Sequence, residues 1–246
     1  MKLSILASVS TVALLAATAS FAQDPNNTSA VTQSGVQNAA VVAQTGSGND
    51  SDLNQVGASG VGAVSNRASI EQSGADNTSD VNQFGRNSAG FGATLRQTGS
   101  GNGSIIDQGS TTNNATGNSA EILQYGSDGK SDVNQQGDNN ASRLVQSGSD
   151  NSSTTDQLSD SNAISVEQGG TDQTSTIRQD VGSANFAVVF QDSGAGTVSD
   201  VTQNGTGNYA QVQQDGASNS LVTQTGVENV ANVDQNGAGN DSDIIQ

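Results

Sequence analysis

A chain of 246 residues with 31% hydrophobic content, five Phe, two Tyr, no Trp and 30 Gly lacks the bulky side chains from which an ordinary globular core is built. Its 24 acidic residues against seven basic ones would be repelled by phosphate backbones and anionic lipid headgroups, which argues against nucleic-acid and membrane-surface partners. Having neither Cys nor His, it has no disulfide, thiolate nucleophile, imidazole base or usual transition-metal ligand, so no catalytic, metal or cofactor site is expected.

The first element is Met1 to Ala22. One basic residue, Lys2, precedes an apolar run from Leu3 to Ala19, and Ser20-Phe21-Ala22 supplies small-x-small spacing, the pattern of a cleaved signal peptide. A membrane anchor is the alternative reading, disfavoured by the cleavage pattern and by the abrupt polar switch at Gln23-Asp24-Pro25. No second apolar run follows, so the processed chain, with a short segment 23–26, is expected to be exported without a membrane span.

From Asn27 to Gln246 the chain repeats a unit typified by Asn38 to Gly48, NAAVVAQTGSG. Counting by the recurrent Gln gives nineteen units of about eleven residues, the last ending on Gln246. Two positions before the Gln stands Val, Ile or Leu in eighteen of nineteen units, and four before it Ser or Ala in eighteen, which is too regular for the disorder that composition alone suggests. Six before it Asn occurs in fourteen units, and two after it Gly follows in fourteen. Positions six, four, two and zero before the Gln share one face of a strand, because side chains alternate with a period of two. Each unit therefore predicts a seven-residue strand and a four-residue turn. Abundant Gly, Asn and Ser without a 3.6-residue apolar period rule against helix.

The position four before the Gln is Ser in every odd unit and Ala in seven of nine even ones. The true repeat is thus a pair of units, about 22 residues: strand, turn, returning strand, turn. The expected fold is all-β, a parallel β-solenoid of about nine and a half two-strand rungs. The returning strand sets each aliphatic residue opposite a small one, giving a core typified by Val31, Val42, Leu53, Ile70, Val81, Val133, Leu144, Val222, Val233 and Ile244. The exceptions obey this register: Thr155 replaces an aliphatic residue, and its expected partner, Ile164, is the large residue at a small position. Stacked rungs would align the amides as ladders along the axis, through Gln33, Gln44, Gln55, Gln135, Gln146, Gln224, Gln235 and Gln246, and through Asn38, Asn49, Asn140, Asn229 and Asn240. Three long spacings, Gln55 to Gln72, Gln83 to Gln97 and Gln108 to Gln124, each join an odd unit to the next even one and should bulge from one edge as tolerated insertions.

This repeat resembles that of curlin, the subunit family of curli amyloid fibres on bacterial surfaces. The family motif, Ser-x5-Gln-x-Gly-x-x-Asn-x-Ala-x3-Gln, is matched by Gln33, Gly35, Asn38, Ala40 and Gln44. It recurs at Gln135, Gly137 and Asn140, and at Gln224, Gly226, Asn229, Ala231 and Gln235. The chain has more units than the family's usual handful, with irregular spacings. The resemblance implies secretion through an outer-membrane route, partnership with a nucleator or that secretion machinery, and assembly outside the cell into cross-β fibres for adhesion and biofilm matrix. Self-association is the physical expectation too, since ladders left open at a stack's ends favour docking of another copy.

Asp52, Asp80, Asp132, Asp200 and Asp243 stand three before the Gln on the outward face of odd strands and are expected to slow stacking by like-charge repulsion. Calcium binding there is disfavoured, because the Gly-Gly-x-Gly-x-Asp period of calcium-loaded β-rolls is absent. A monomeric solenoid adhesin keeps the same fold and is the main alternative function. An enzyme would need a concave surface with a base and clustered cations, whereas Arg67, Arg86, Arg96, Lys130, Arg143 and Arg178 are scattered.

Overall fold

The computed structural model describes residues 2–7, 17–20, 26–35, 38–57, 65–85, 90–109 and 115–246. Every element there is a strand. Twenty-one strands, from Lys2–Ala7 to Asp241–Ile245, form one eleven-stranded and one ten-stranded sheet, each taking alternate strands in chain order. Every pairing within the sheets is parallel, with Gln over Gln in rung after rung, as in Gln55↔Gln83, Gln83↔Gln108 and Gln124↔Gln146. This is the β-solenoid expected from the repeat, with about nine turns of strand, turn, strand, turn.

Odd units form one sheet and even units the other. Strands begin one residue later than the repeat suggests: the odd strands Thr28–Ser34, Asp50–Val56 and Thr78–Phe84 each start after the Asn, not on it. The Asn belongs to the turn, where its side chain serves backbone groups that the ladder leaves over. Most of the expected signal peptide, and residues 23–25, lie outside the described residues. Within it, Lys2–Ala7 pairs with Thr28–Gln33 and Ala17–Ser20 with Ala40–Ala43. Cleavage after Ala22 would remove both strands.

The core is a single narrow seam between the sheets. Leu53, Ile70, Val81, Val133, Leu144, Val222 and Val233 are buried there, beside Ala40, Ala68, Ala93, Ala120, Ala187, Ala210 and Ala231 of the even strands. Val31, Val42 and Ile244, in the rungs at the two ends of the repeat array, are partly buried against it. Thr155 and Ile164 are both buried, and the Thr155 hydroxyl also meets the Ser142 hydroxyl at 3.2 Å across the seam. The lost aliphatic contact is thus accompanied by a buried polar one.

Turns carry a constraint that counting Gly did not disclose. Eight non-glycine residues have positive φ, including Asp76, Asp128, Asn139, Asp150 and Asp172, and all eight stand seven before a Gln. Asp and Asn tolerate the left-handed region better than other side chains, which explains their alternation with Gly at this place. The Gly two after the Gln has a different reason. At Gly99 (φ 127°) an added Cβ would lie 1.7 Å from the Gly126 carbonyl oxygen of the next rung. Gly46, Gly74, Gly99, Gly126 and Gly148 form one such column, where backbones of successive rungs touch.

The long spacings interrupt one edge. Residues 58–64, 86–89 and 110–114 lie outside the described residues, but their flanks are ordered into the fold. Phe91 takes the place of the turn Asn and is buried with Ala115 in a small apolar cluster beside the seam. Part of these insertions therefore packs.

Candidate self-assembly surface

The glutamines build a continuous structure. On the odd sheet the Gln33 Nε2 donates to Gln55 Oε1 at 2.6 Å, and the chain of bonds runs on through Gln83, Gln108, Gln135, Gln157, Gln179, Gln203 and Gln224 to Gln246. On the even sheet the same bond links Gln44, Gln72, Gln97, Gln124, Gln146, Gln168, Gln191, Gln214 and Gln235, at 2.8–3.1 Å. All point one way, each amide donating to the rung that follows.

The direction is set by the backbone. From Gln44 onward each amide nitrogen also donates across the seam to the carbonyl at the start of the preceding strand, as from Gln44 to Thr28, Gln135 to Ser119, Gln146 to Lys130, Gln224 to Tyr209, Gln235 to Asn219 and Gln246 to Val230. A flipped amide would turn its oxygen against that carbonyl. The polarity is therefore a property of the fold, and any cut across the stack presents acceptors on one side and donors on the other.

This gives a reason for Ser at some of the odd units, although the hydroxyls of Ser79, Ser153, Ser175, Ser199 and Ser220 are buried without a partner. Ser51, Ser104 and Ser131, at the small position of odd strands, lie beside the preceding even strand's Gln and accept from its amide at 3.0–3.3 Å. Ser104 and Ser131 also donate onward to the Oε1 of Gln124 and Gln146.

The asparagines build a different ladder from the one expected of them. Here the side-chain oxygen accepts mainly the backbone N–H of the next rung: Asn49 N–H donates to Asn27, Asn162 N–H to Asn140, and Asn229 N–H to Asn208, at 2.9–3.0 Å. Direct amide-to-amide bonds join only some steps, such as Asn49 to Asn27 at 3.3 Å and Asn77 to Asn49 at 2.9 Å. Two of the named residues stand apart. The Asn38 side-chain oxygen is buried without a partner where the first insertion follows, and the Asn240 side-chain amide donates to the carbonyls of Asn236 and Gly237 of its own turn.

The aspartates occupy the outward face of the odd sheet. Asp52 sits directly beside Asp80 in register, whereas Asp132 has Ile105 and Thr154 as neighbours, and Leu221 separates Asp200 from Asp243. Asp107 and Asp156, one before the Gln, add to the same face. Loss of solvent, then the charges of Asp52 and Asp107, push the Asp80 carboxyl above its ordinary value. Asp132 is raised by desolvation and by Asp107 and Asp156, and Asp200 by desolvation. Because Gly103 brings no side chain to this face, an open groove of about 640 Å³ lies over it, lined by Asp52, Asp80, Lys130 and Asp132 among others.

Among the described residues no helix is long and apolar enough to cross a membrane. No curated protein matches the chain. Residues 25–57 match the family model described as Curlin associated repeat, a stretch that contains Gln33, Gly35, Asn38, Ala40, Gln44 and Gln55. The strands of that stretch, Thr28–Ser34, Ala39–Ser47 and Asp50–Val56, stack in register with those that follow, so one geometry runs from the matched residues to the end of the array. Over residues 25–57 the chain is thus similar to the curlin-associated repeat, in line with the motif resemblance of Gln33, Gly35, Asn38, Ala40 and Gln44.

Proposed function

We propose that this protein is a secreted structural subunit that stacks end to end into extracellular cross-β fibres of the curli type, serving cell adhesion and biofilm matrix. The observation that carries the proposal is the unbroken, one-directional Gln ladder on both sheets. A stack whose donors all face one way meets a second copy correctly only head to tail, and that mode of contact propagates without closing. Gly columns and rung-to-rung backbone bonds supply a surface at each rung with the same spacing as the next. Similarity of residues 25–57 to the curlin-associated repeat supports the rest of the reading: export through an outer-membrane machinery, a nucleating partner, and display at the bacterial surface.

Electron microscopy and fibre diffraction of the purified protein test this reading. Unbranched fibres with reflections near about 4.8 Å along the axis and about 10 Å across it are expected. Monomers that persist for days at high concentration would overturn it in favour of a monomeric solenoid adhesin. Mass spectrometry of the exported protein should find Gln23 at its N-terminus; an uncut leader removes the secretion step.

A further inference from the structure

The two outward faces of the solenoid differ in charge and in aromatic content, while exposed aliphatic residues occur on both, Ile105, Val198 and Leu221 on the odd face among them. On the odd sheet Asp50, Asp52, Asp80, Asp107, Asp132 and Asp156 are among nine aspartates at positions five, three and one before the Gln, opposed only by Lys130 and by Arg178, which is already paired with Asp180 at 2.9 Å. On the even sheet Arg67, Arg96 and Arg143 stand against Glu71, Glu121, Glu167 and Asp234, with Asp192 and Asp215 just past the Gln, and two of these arginines are already paired, Arg96 with Glu71 at 3.5 Å and Arg143 with Glu121 at 3.0 Å. Two odd faces repel strongly; two even faces, with three arginines among their acids, repel far less.

The even face also carries an aromatic and aliphatic patch in a chain otherwise poor in such residues. The strand Phe186–Ser193 is apolar on both sides: Ala187 and Val189 enter the core, while on the other side Phe186 is exposed, Phe190 half-buried and Val188 buried among its neighbours. Phe186 stands beside Tyr209, ring centroids 5.7 Å apart, and Tyr209 beside Val230. Phe186 and Val230 remain 38% and 64% exposed. Parallel strands apolar on both faces are ordinarily covered on both.

We propose that the cover is the even face of a second copy, related by a two-fold axis parallel to the stack, so that two stacks run side by side in the same direction. This rests on the stacked-fibre reading above. Such an axis reverses strand direction, so position five before the Gln faces position one of the partner, and position three faces itself. Phe186 then lies opposite Phe190, Val188 opposite its own copy, and Arg67 opposite the partner's Glu71. Among the described residues Arg67 has no ion-pair partner within its own chain, which this contact provides. Glu121 and Arg143, adjacent in register at position three, each lie opposite their own copy and so pair with the partner's Arg143 and Glu121 only diagonally, one rung apart.

Short bismaleimide cross-linking of single-cysteine variants tests the geometry, since the chain has no native Cys. Ser69→Cys, exposed at position three of an even strand, should link copies, and Thr176→Cys on the odd face should not. Micrographs should show wild-type fibres two stacks wide, and Phe186→Ser/Phe190→Ser fibres of half that width with unchanged axial spacing. Should that double variant not assemble, Arg67→Glu, at the surface, should split the pair at low salt and recover it at high salt. Single-stack wild-type fibres, doubling that survives these substitutions, or linking through Thr176→Cys alone overturns the proposal. Absence of any fibre counts against stacking itself; the face contact is then read on soluble Ser69→Cys protein, and a lack of linked dimers there overturns it separately.

Discussion

At the scale of single residues the amides do work that apolar side chains do elsewhere. The Gln124 side chain donates to Gly103 O, Ser131 Oγ and Gln146 Oε1 and accepts from Gln97 and Ser104. Gln124→Ala removes these bonds from a buried site and should lower stability by about 1–3 kcal/mol, read as a fall in the guanidinium midpoint of fibre dissociation. Gly99→Ala should be far worse than Gly196→Ala. Both have positive φ, but only the first drives a Cβ into backbone, while the second meets nothing within 4 Å. Ordering followed by circular dichroism should be blocked in the first variant and cost only about 1–2 kcal/mol in the second. For Asp80 the sign follows from its raised carboxyl: the folded stack holds the proton more tightly than the open chain does. Stability is therefore greatest below the ordinary carboxylate range around 3.8 and is lost as pH rises through the folded value. Thioflavin T curves should show faster growth on acidification, and Asp80→Asn should grow faster at neutral pH with a flatter pH profile.

Individual strands were legible because a period of two leaves a mark in sequence wherever one face is buried. The compensating pair Thr155 and Ile164 could be read from register alone, and the structure buries both. Ile164→Ala would leave two small residues in that part of the seam and should cost about 2–5 kcal/mol by cavity formation. Adding Thr155→Val to it should restore part of the loss, so a double-mutant cycle on denaturation midpoints should be non-additive. The Asn position was less legible. Fourteen occurrences marked it as important, but a side chain that caps backbone N–H groups and one that stacks on its own kind leave the same trace in one dimension. Position seven before the Gln, with its Gly, Asp and Asn, held a signal of left-handed backbone that the Gly count had masked.

For the whole molecule, the one-way ladder makes the two ends chemically different. Growth of labelled monomer on a seed, followed by fluorescence microscopy, should proceed at unequal rates from the two tips. Equal rates would argue against a polar stack.

The sequence by itself determined the repeat, the strand faces, the pairing of units into rungs and the like-on-like stacking, because each follows from which residue types recur at which spacing. Only the tertiary structure decided the direction of the amide ladders, since that depends on which carbonyl lies across the seam from each Gln. It also decided why particular glycines are required, since the atom each would strike belongs to the next rung, more than twenty residues away in the chain. And it decided that charge collects on one face while aromatic residues collect on the other, a consequence of odd and even units being sorted into opposite sheets.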